Sequence, residues 1–185
     1  MLKIISNPCD DLILFSPMIH KDDRGYFVER HNRMLSSMLG FEFEFVQENE
    51  SYSIKKGTIR GLHYQKPPFE QTKILSVVKG SIYDVVVDLR TASPNFSKCY
   101  SFCLDSKEKQ ILVVPKGFLH GFCTLEDNTV VNYKVDSLYS REHEISIRWD
   151  DISLSIDWPI FNDYHLSVKD ANAPNFYEVF PEVKL

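Results

Sequence analysis

The sequence predicts a mostly-β fold, a sandwich or barrel with a few short helices, and three observations point there. Short apolar runs recur along the chain, separated by turn residues. Helical periodicity is scarce. No internal repeat, low-complexity tract or long linker breaks the pattern, so the 185 residues read as one domain spanning 1–185, long enough to bury a proper core.

The best helical stretch is 32–39, where Met34, Leu35, Met38 and Leu39 share a face, Asn32 suits the N-cap and Gly40 the stop. Lys79-Gly80-Ser81 reads as a hairpin turn. Behind it, Tyr83, Val85, Val87 and Leu89 point one way and Asp84, Val86, Asp88 and Arg90 the other, the period of a half-buried strand. Ile111 to Val114 is an apolar run stopped by Pro115, and 128–135 and 145–149 repeat the strand pattern. A second short helix is expected near Ser167 to Ala171, and Trp149 and Trp158 belong in the core.

Composition narrows the function. Hydrophobic residues make up 43% and charged residues 25%, as in an ordinary globular protein. A net charge of −5 with no basic stripe excludes general nucleic-acid binding, so an anionic ligand must be held by a few placed arginines. The N-terminal MLKIISNPCD lacks a signal-peptide core, and no membrane-length apolar run occurs, which makes the cytoplasm the expected location. Cys9, Cys99, Cys103 and Cys123 form no CxxC pair. Cys99 and Cys103, on one strand, would stand about 13 Å apart, too far to bridge. Reduced thiols are the economical reading.

Three stretches combine reactive side chains with turn residues: KKGTIRGLHYQKPPFEQ at 55–71, PKGFLHGF at 115–122 and SVKD at 167–170. Gly57 followed by five residues and His63, together with Pro115-x-Gly117-x-x-His120, resembles the two halves of the cupin signature. That signature carries a second histidine where this chain has Gln65, although Glu70 stands near its acidic position. Glutamine is a poor ligand for a transition ion, so the spacing points to the barrel more than to the metal.

Longer matches extend the resemblance. DDRGYFVE at 22–29, QENES at 47–51, GTIRGLHYQ at 57–65 and QTKILSVVKGSIYDVVVDLR at 71–90 are joined by PKGFLHGF at 115–122 and NYKVDSLYSREHE at 132–144. DWP at 157–159 and LSVKDANAP at 166–174 complete the set. In number, order and spacing these resemble the dTDP-4-dehydrorhamnose 3,5-epimerase family along nearly the whole chain. The resemblance implies a cupin-like jelly-roll β-barrel, usually a homodimer, that acts without metal or cofactor on a dTDP-linked 4-keto-6-deoxyhexose. By position, His63 matches the general base, Asp170 its orienting carboxylate, Tyr133 the opposing acid and Lys73 a residue at the sugar keto group. Arg24 and Arg60 match diphosphate contacts; Glu29, Gln47, Asn49, His120, Glu144 and Lys169 match other substrate contacts, and Phe27 and Tyr139 aromatic ones. The same resemblance implies that DDRGYFVE crosses a dimer interface to complete the partner's site.

These residue types suit the reaction. Carbons 3 and 5 flank the C4 ketone, so their protons are the acidic ones. Epimerisation removes a proton from one face and returns one to the other, and needs a base and an acid on opposite faces plus a positive charge at O4. A neutral imidazole serves as the base, a carboxylate fixes its tautomer, and a phenol stays protonated until it meets a developing carbanion. A lysine at the enolate oxygen counts most in a dry site.

Each residue also has a plainer reading: Arg24 paired with Asp22 or Asp23 across a turn, Asp170 a helix cap, Lys73 a strand-edge lysine, Tyr133 lining of the barrel. Three other functions are open: an epimerase acting at one carbon or on another nucleotide sugar, a metal-dependent cupin enzyme built on His63, Gln65, Glu70 and His120, or an idle sugar-nucleotide sensor. Glu48 and Glu50 add negative charge beside Gln47 and Asn49, and would alter substrate preference if they reached the pocket.

Overall fold

The computed structural model describes residues 2–9, 11–32, 37 and 44–183. Its strands are β1 (Lys3–Cys9), β2 (Leu12–Ser16), β3 (Ile19–Asp22), β4 (Gly25–Val28), β5 (Gln47–Ser53), β6 (Ile59–Gln65) and β7 (Lys73–Lys79). There follow β8 (Ser81–Asp88), β9 (Cys99–Asp105), β10 (Ile111–Val114), β11 (Phe118–Thr124), β12 (Thr129–Val135) and β13 (Glu144–Ser146). A 3₁₀ turn (Ile152–Leu154) and two short helices, α1 (Val168–Ala171) and α2 (Phe176–Val179), lie beyond them. The helix expected over 32–39 falls almost wholly outside the described residues.

One sheet is six-stranded in the order β1-β2-β10-β7-β12-β5, and the other five-stranded in the order β13-β6-β11-β8-β9. They stack as the jelly-roll-like, mostly-β fold expected above, although among the described residues the sheets stay a sandwich and do not close into a barrel. β3 and β4 form a separate two-stranded hairpin. Between the sheets, Leu14, Leu75, Val77, Leu112 and Val131 of one meet Ile82, Val86, Phe102, Leu104, Phe118 and Phe122 of the other. Burial of each such side chain stabilises the fold by about 1.5–3 kcal/mol.

β8 alternates as read, but it is not half-buried. Its outer row, with Val85 and Val87, packs under Leu62, Leu119, Ile147, Leu154 and Phe176, because the C-terminal segment folds back across the five-stranded sheet. Gly80 does turn the chain, with φ +79°, yet β7 and β8 belong to different sheets. The turn is a corner between layers rather than a hairpin. A Cβ at Gly80 would lie 2.4 Å from the Thr129 hydroxyl, so the corner excludes any side chain there.

α1 starts where SVKD placed it, with the Ser167 hydroxyl accepting the Asp170 N–H at 3.0 Å. Cys99 and Cys103 share β9, and all four cysteines are free. Trp149 and Trp158 pack edge to face at the half-buried rim of the outer cluster, slightly outside the core proper. Among the described residues no helix is long and apolar enough to cross a membrane.

Candidate active site

Residues directly opposite one another in an antiparallel ladder share a face. On the six-stranded sheet Tyr133 stands opposite Asn49 and Leu75, and Val135 opposite Gln47 and Lys73. The four polar side chains therefore project together into the space between the sheets. Glu48 and Glu50 fall on the other face by the same alternation and are exposed, Glu48 pairing with Lys134 at 3.2 Å. They do not reach the pocket.

On the five-stranded sheet the register sets His120 opposite His63. Two glycines allow this approach. A Cβ on Gly61, where φ is +125°, would come within 2.7 Å of the Gly121 Cα, and one on Gly121 within 2.8 Å of the Arg60 carbonyl. RGLH and HGF thus close β6 against β11 and aim both histidines inward.

The two rows face each other across a cleft of about 530 Å³. His63, Gln65, His120 and Glu144 line it from one sheet, Gln47, Asn49, Lys73 and Tyr133 from the other, and Leu75, Phe122 and Val131 form apolar patches. Arg60, Tyr139, Lys169 and Asp170 also line it. Lys73 is not a strand-edge lysine, because β7 lies inside its sheet. Arg60 is braced against β5 by bonds to the Ser53 hydroxyl and the Tyr52 carbonyl, at 3.2 and 2.9 Å.

His63 Nε2 lies 2.7 Å from Asp170 Oδ1. Burial alone would raise the Asp170 pKa, but hydrogen bonds from His63, Ser167 and the Gly61 N–H outweigh it and hold the carboxyl below its ordinary value. With the proton on Nε2 fixed by that carboxylate, Nδ1 is left as the basic nitrogen. Asp170 is thus more than a cap: α1 presents it and His63 receives it.

His120 Nε2 has a carboxylate of its own, Asp84, at 2.9 and 3.1 Å. Asp84 is wholly buried, and burial raises its pKa against the pull of His120 and Lys73. Lys73 is pushed down to about 8 by burial, with Asp84 and then Glu144 opposing. Burial also raises the Tyr133 phenol, so it stays protonated near neutral pH. Glu144 stays below its ordinary value despite burial, because Lys169 at 2.6 Å and the Tyr139 hydroxyl at 2.7 Å bond to it.

Arg24, Phe27 and Glu29 are not in this cleft. They lie on or beside the exposed β3–β4 hairpin, where the Arg24 guanidinium pairs with Asp22 at 2.6 Å. Here the plainer reading of Arg24 holds within the chain. The metal alternative fails on geometry: Gln65 spends its amide on backbone groups, Glu70 accepts the Tyr64 hydroxyl at 3.0 Å, and no cluster of three His, Cys, Asp or Glu among the described residues could hold an ion. Asp84 is the residue that sequence reasoning passed over. Its signal was an aspartate on the same strand face as Val86, two residues away in an apolar run.

A family model described as dTDP-4-dehydrorhamnose 3,5-epimerase matches residues 6–178. A dTDP-4-dehydrorhamnose 3,5-epimerase of Shigella flexneri is 40% identical over 178 residues, covering 96% of this chain and 97% of that one. The crystal structure of the Bacillus anthracis epimerase with TDP and PPi bound is 45% identical, with a TM-score of 0.92 over 95% of this chain and 100% of that one. The Legionella pneumophila enzyme, in complex with dTDP-4-keto-L-rhamnose, is 38% identical with a TM-score of 0.92, over 98% of this chain and 96% of that one.

Proposed function

This chain belongs to the dTDP-4-dehydrorhamnose 3,5-epimerase family, and from that premise we propose how its cleft epimerises C3 and C5 of a dTDP-linked 4-keto-6-deoxyhexose. The observation that carries the reading is the origin of the reactive groups: His63 comes from one sheet, and Tyr133 and Lys73 from the sheet facing it. A sugar ring held between them meets a base on one face and an acid on the other.

His63 Nδ1 takes the proton from the carbon beside the ketone, and Asp170 stabilises the imidazolium that forms. The C–H electron pair moves into the ring as an enolate, with its charge on O4 facing the Lys73 ammonium. Tyr133 returns a proton to the same carbon from the opposite face. The imidazolium then gives its proton to solvent and the phenolate takes one back, and with both groups reset the cycle repeats at the second carbon. The substrate's ketone is the electron sink, so these steps call for no cofactor or metal. Arg60 and Lys169 supply positive charge for the diphosphate end, and Tyr139 an aromatic wall for the nucleoside.

In heavy water the parent protein is expected to place deuterium at C3 and C5 of dTDP-4-keto-6-deoxyglucose, read by mass spectrometry. Tyr133→Phe should still wash in deuterium while inverting little. Exchange at one carbon alone would replace this reading with a single-position epimerase, and equal inversion by the tyrosine variant would remove Tyr133 from the mechanism.

The whole chain acts as one domain in the cytoplasm, as a homodimer in which the β3–β4 hairpin carries Arg24, Phe27 and Glu29 to the partner's cleft. The support is their exposure: Phe27 is 68% accessible, an unusual place for an aromatic ring without a partner surface. Arg24→Ala and His63→Ala should each be nearly inactive. Refolded together with random pairing, half the dimers are mixed and each has one intact site, giving about a quarter of parental activity. Heterodimers that form without activity would place Arg24 outside the site.

A further inference from the structure

Gln65 occupies a position in the cleft where no step above uses it. It is 6% exposed and both ends of its amide are bonded. Its Oε1 accepts the Ser140 N–H at 2.7 Å, while its Nε2 donates to the Phe69 carbonyl at 2.6 Å and to the Leu138 carbonyl at 3.3 Å. Two other glutamines reach the same segment. Gln71 donates to the Ser137 carbonyl at 2.9 Å, and Gln47 accepts the Tyr139 N–H at 3.1 Å. Every residue from Ser137 to Ser140 thus has a backbone group fastened by a glutamine, in a segment between β12 and β13 that belongs to no strand or helix.

We propose that Gln65 is a positioning residue for nucleotide binding: its amide grips the backbone on both sides of Tyr139 and so holds that ring at the rim of the cleft. The inference rests on the reading of Tyr139 as the wall for the nucleoside. Tyr139 is 53% exposed, with its hydroxyl on Glu144 at 2.7 Å, so the ring has little packing of its own to fix it. A flat ring held in place before the ligand arrives loses less freedom on binding than one that must be ordered by it. Only an amide makes this grip, since it must accept one N–H and donate to two carbonyls. A carboxylate there would face both carbonyls with lone pairs, and a thioether would make none of the bonds.

The test measures dTDP binding by calorimetry, with steady-state kinetics alongside, for the parent, Gln65→Met, Tyr139→Ala and the double variant. Gln65→Met is expected to weaken dTDP and raise KM about tenfold while kcat falls less than about threefold. In the Tyr139→Ala background the same change should add less than about twofold. Should Gln65→Met fail to unfold cooperatively, Gln65→Glu replaces it, keeping the Ser140 bond and losing the two donated ones. Parental dTDP affinity in the glutamine variant, a loss confined to kcat, or penalties that multiply in full would each overturn the clamp while leaving Tyr139 as the nucleoside wall. Tyr139→Ala binding dTDP as the parent does would remove that wall, and the proposal with it.

Discussion

Two histidines face each other across β6 and β11, and each holds a carboxylate, yet the two pairs sit in different electrostatic surroundings. Asp170 is brought to His63 by a capped turn, among donors that keep it ionised. Asp84 reaches His120 from inside a strand, wholly buried, and burial pushes its pKa up. A carboxylate rich in donors can steady an imidazolium as it forms and let it go again. A buried one that serves a histidine and a lysine together is suited to fixing charge. Similar distances therefore carry different work, and the difference lies in how many donors surround each acid.

The largest effect should separate the two histidines. His63→Ala is expected to abolish isotope exchange at both carbons, a fall of at least about 10³-fold. His120→Ala should keep exchange at both while turnover falls about tenfold, in keeping with a substrate contact. Equal losses of exchange in the two variants would break the comparison.

A smaller effect sharpens it. Raising the pH through about 8 removes the Lys73 proton, so kcat should decline on that limb. Lys73 faces Asp84 and Glu144 as negative groups, with His63, His120, Arg60 and Tyr133 in the same cleft. Asp84→Asn deletes the leading group that holds the ammonium, and the limb should move to lower pH. The stability sign runs the other way. The folded lysine releases its proton near 8 and the unfolded one near its ordinary 10.5, so the unfolded chain binds more protons in that window and this group makes stability rise with pH there. A rate profile unmoved by Asp84→Asn would confine Asp84 to holding His120.

Much of this was legible before any coordinates. The alternation in 83–90, the run 111–114 stopped by Pro115 and the short helix near 167–171 follow from local rules about periodicity and stop signals, while Gln47, Asn49, Lys73 and Tyr133 are marked by the family resemblance. Histidine, tyrosine, lysine and carboxylate are what proton transfer beside a ketone requires, so the residue types of the site were legible too. The sequence also carried Gly61 and Gly121, the two positions that let β6 and β11 approach.

Tertiary structure alone decided the pairings. Gly80 looks like a hairpin turn because a hairpin and a corner between sheets use the same local geometry; only the partners chosen by β7 and β8 tell them apart. Asp84 read as one face of a half-exposed strand until the facing sheet and the C-terminal segment covered both sides. Gln65 read as a lost ligand until the 137–140 segment, far along the chain, closed on its amide. The physical reason is common to all three. Local chemistry sets which way a side chain points, but what it meets there depends on contacts between residues distant in sequence, which no window of neighbours contains.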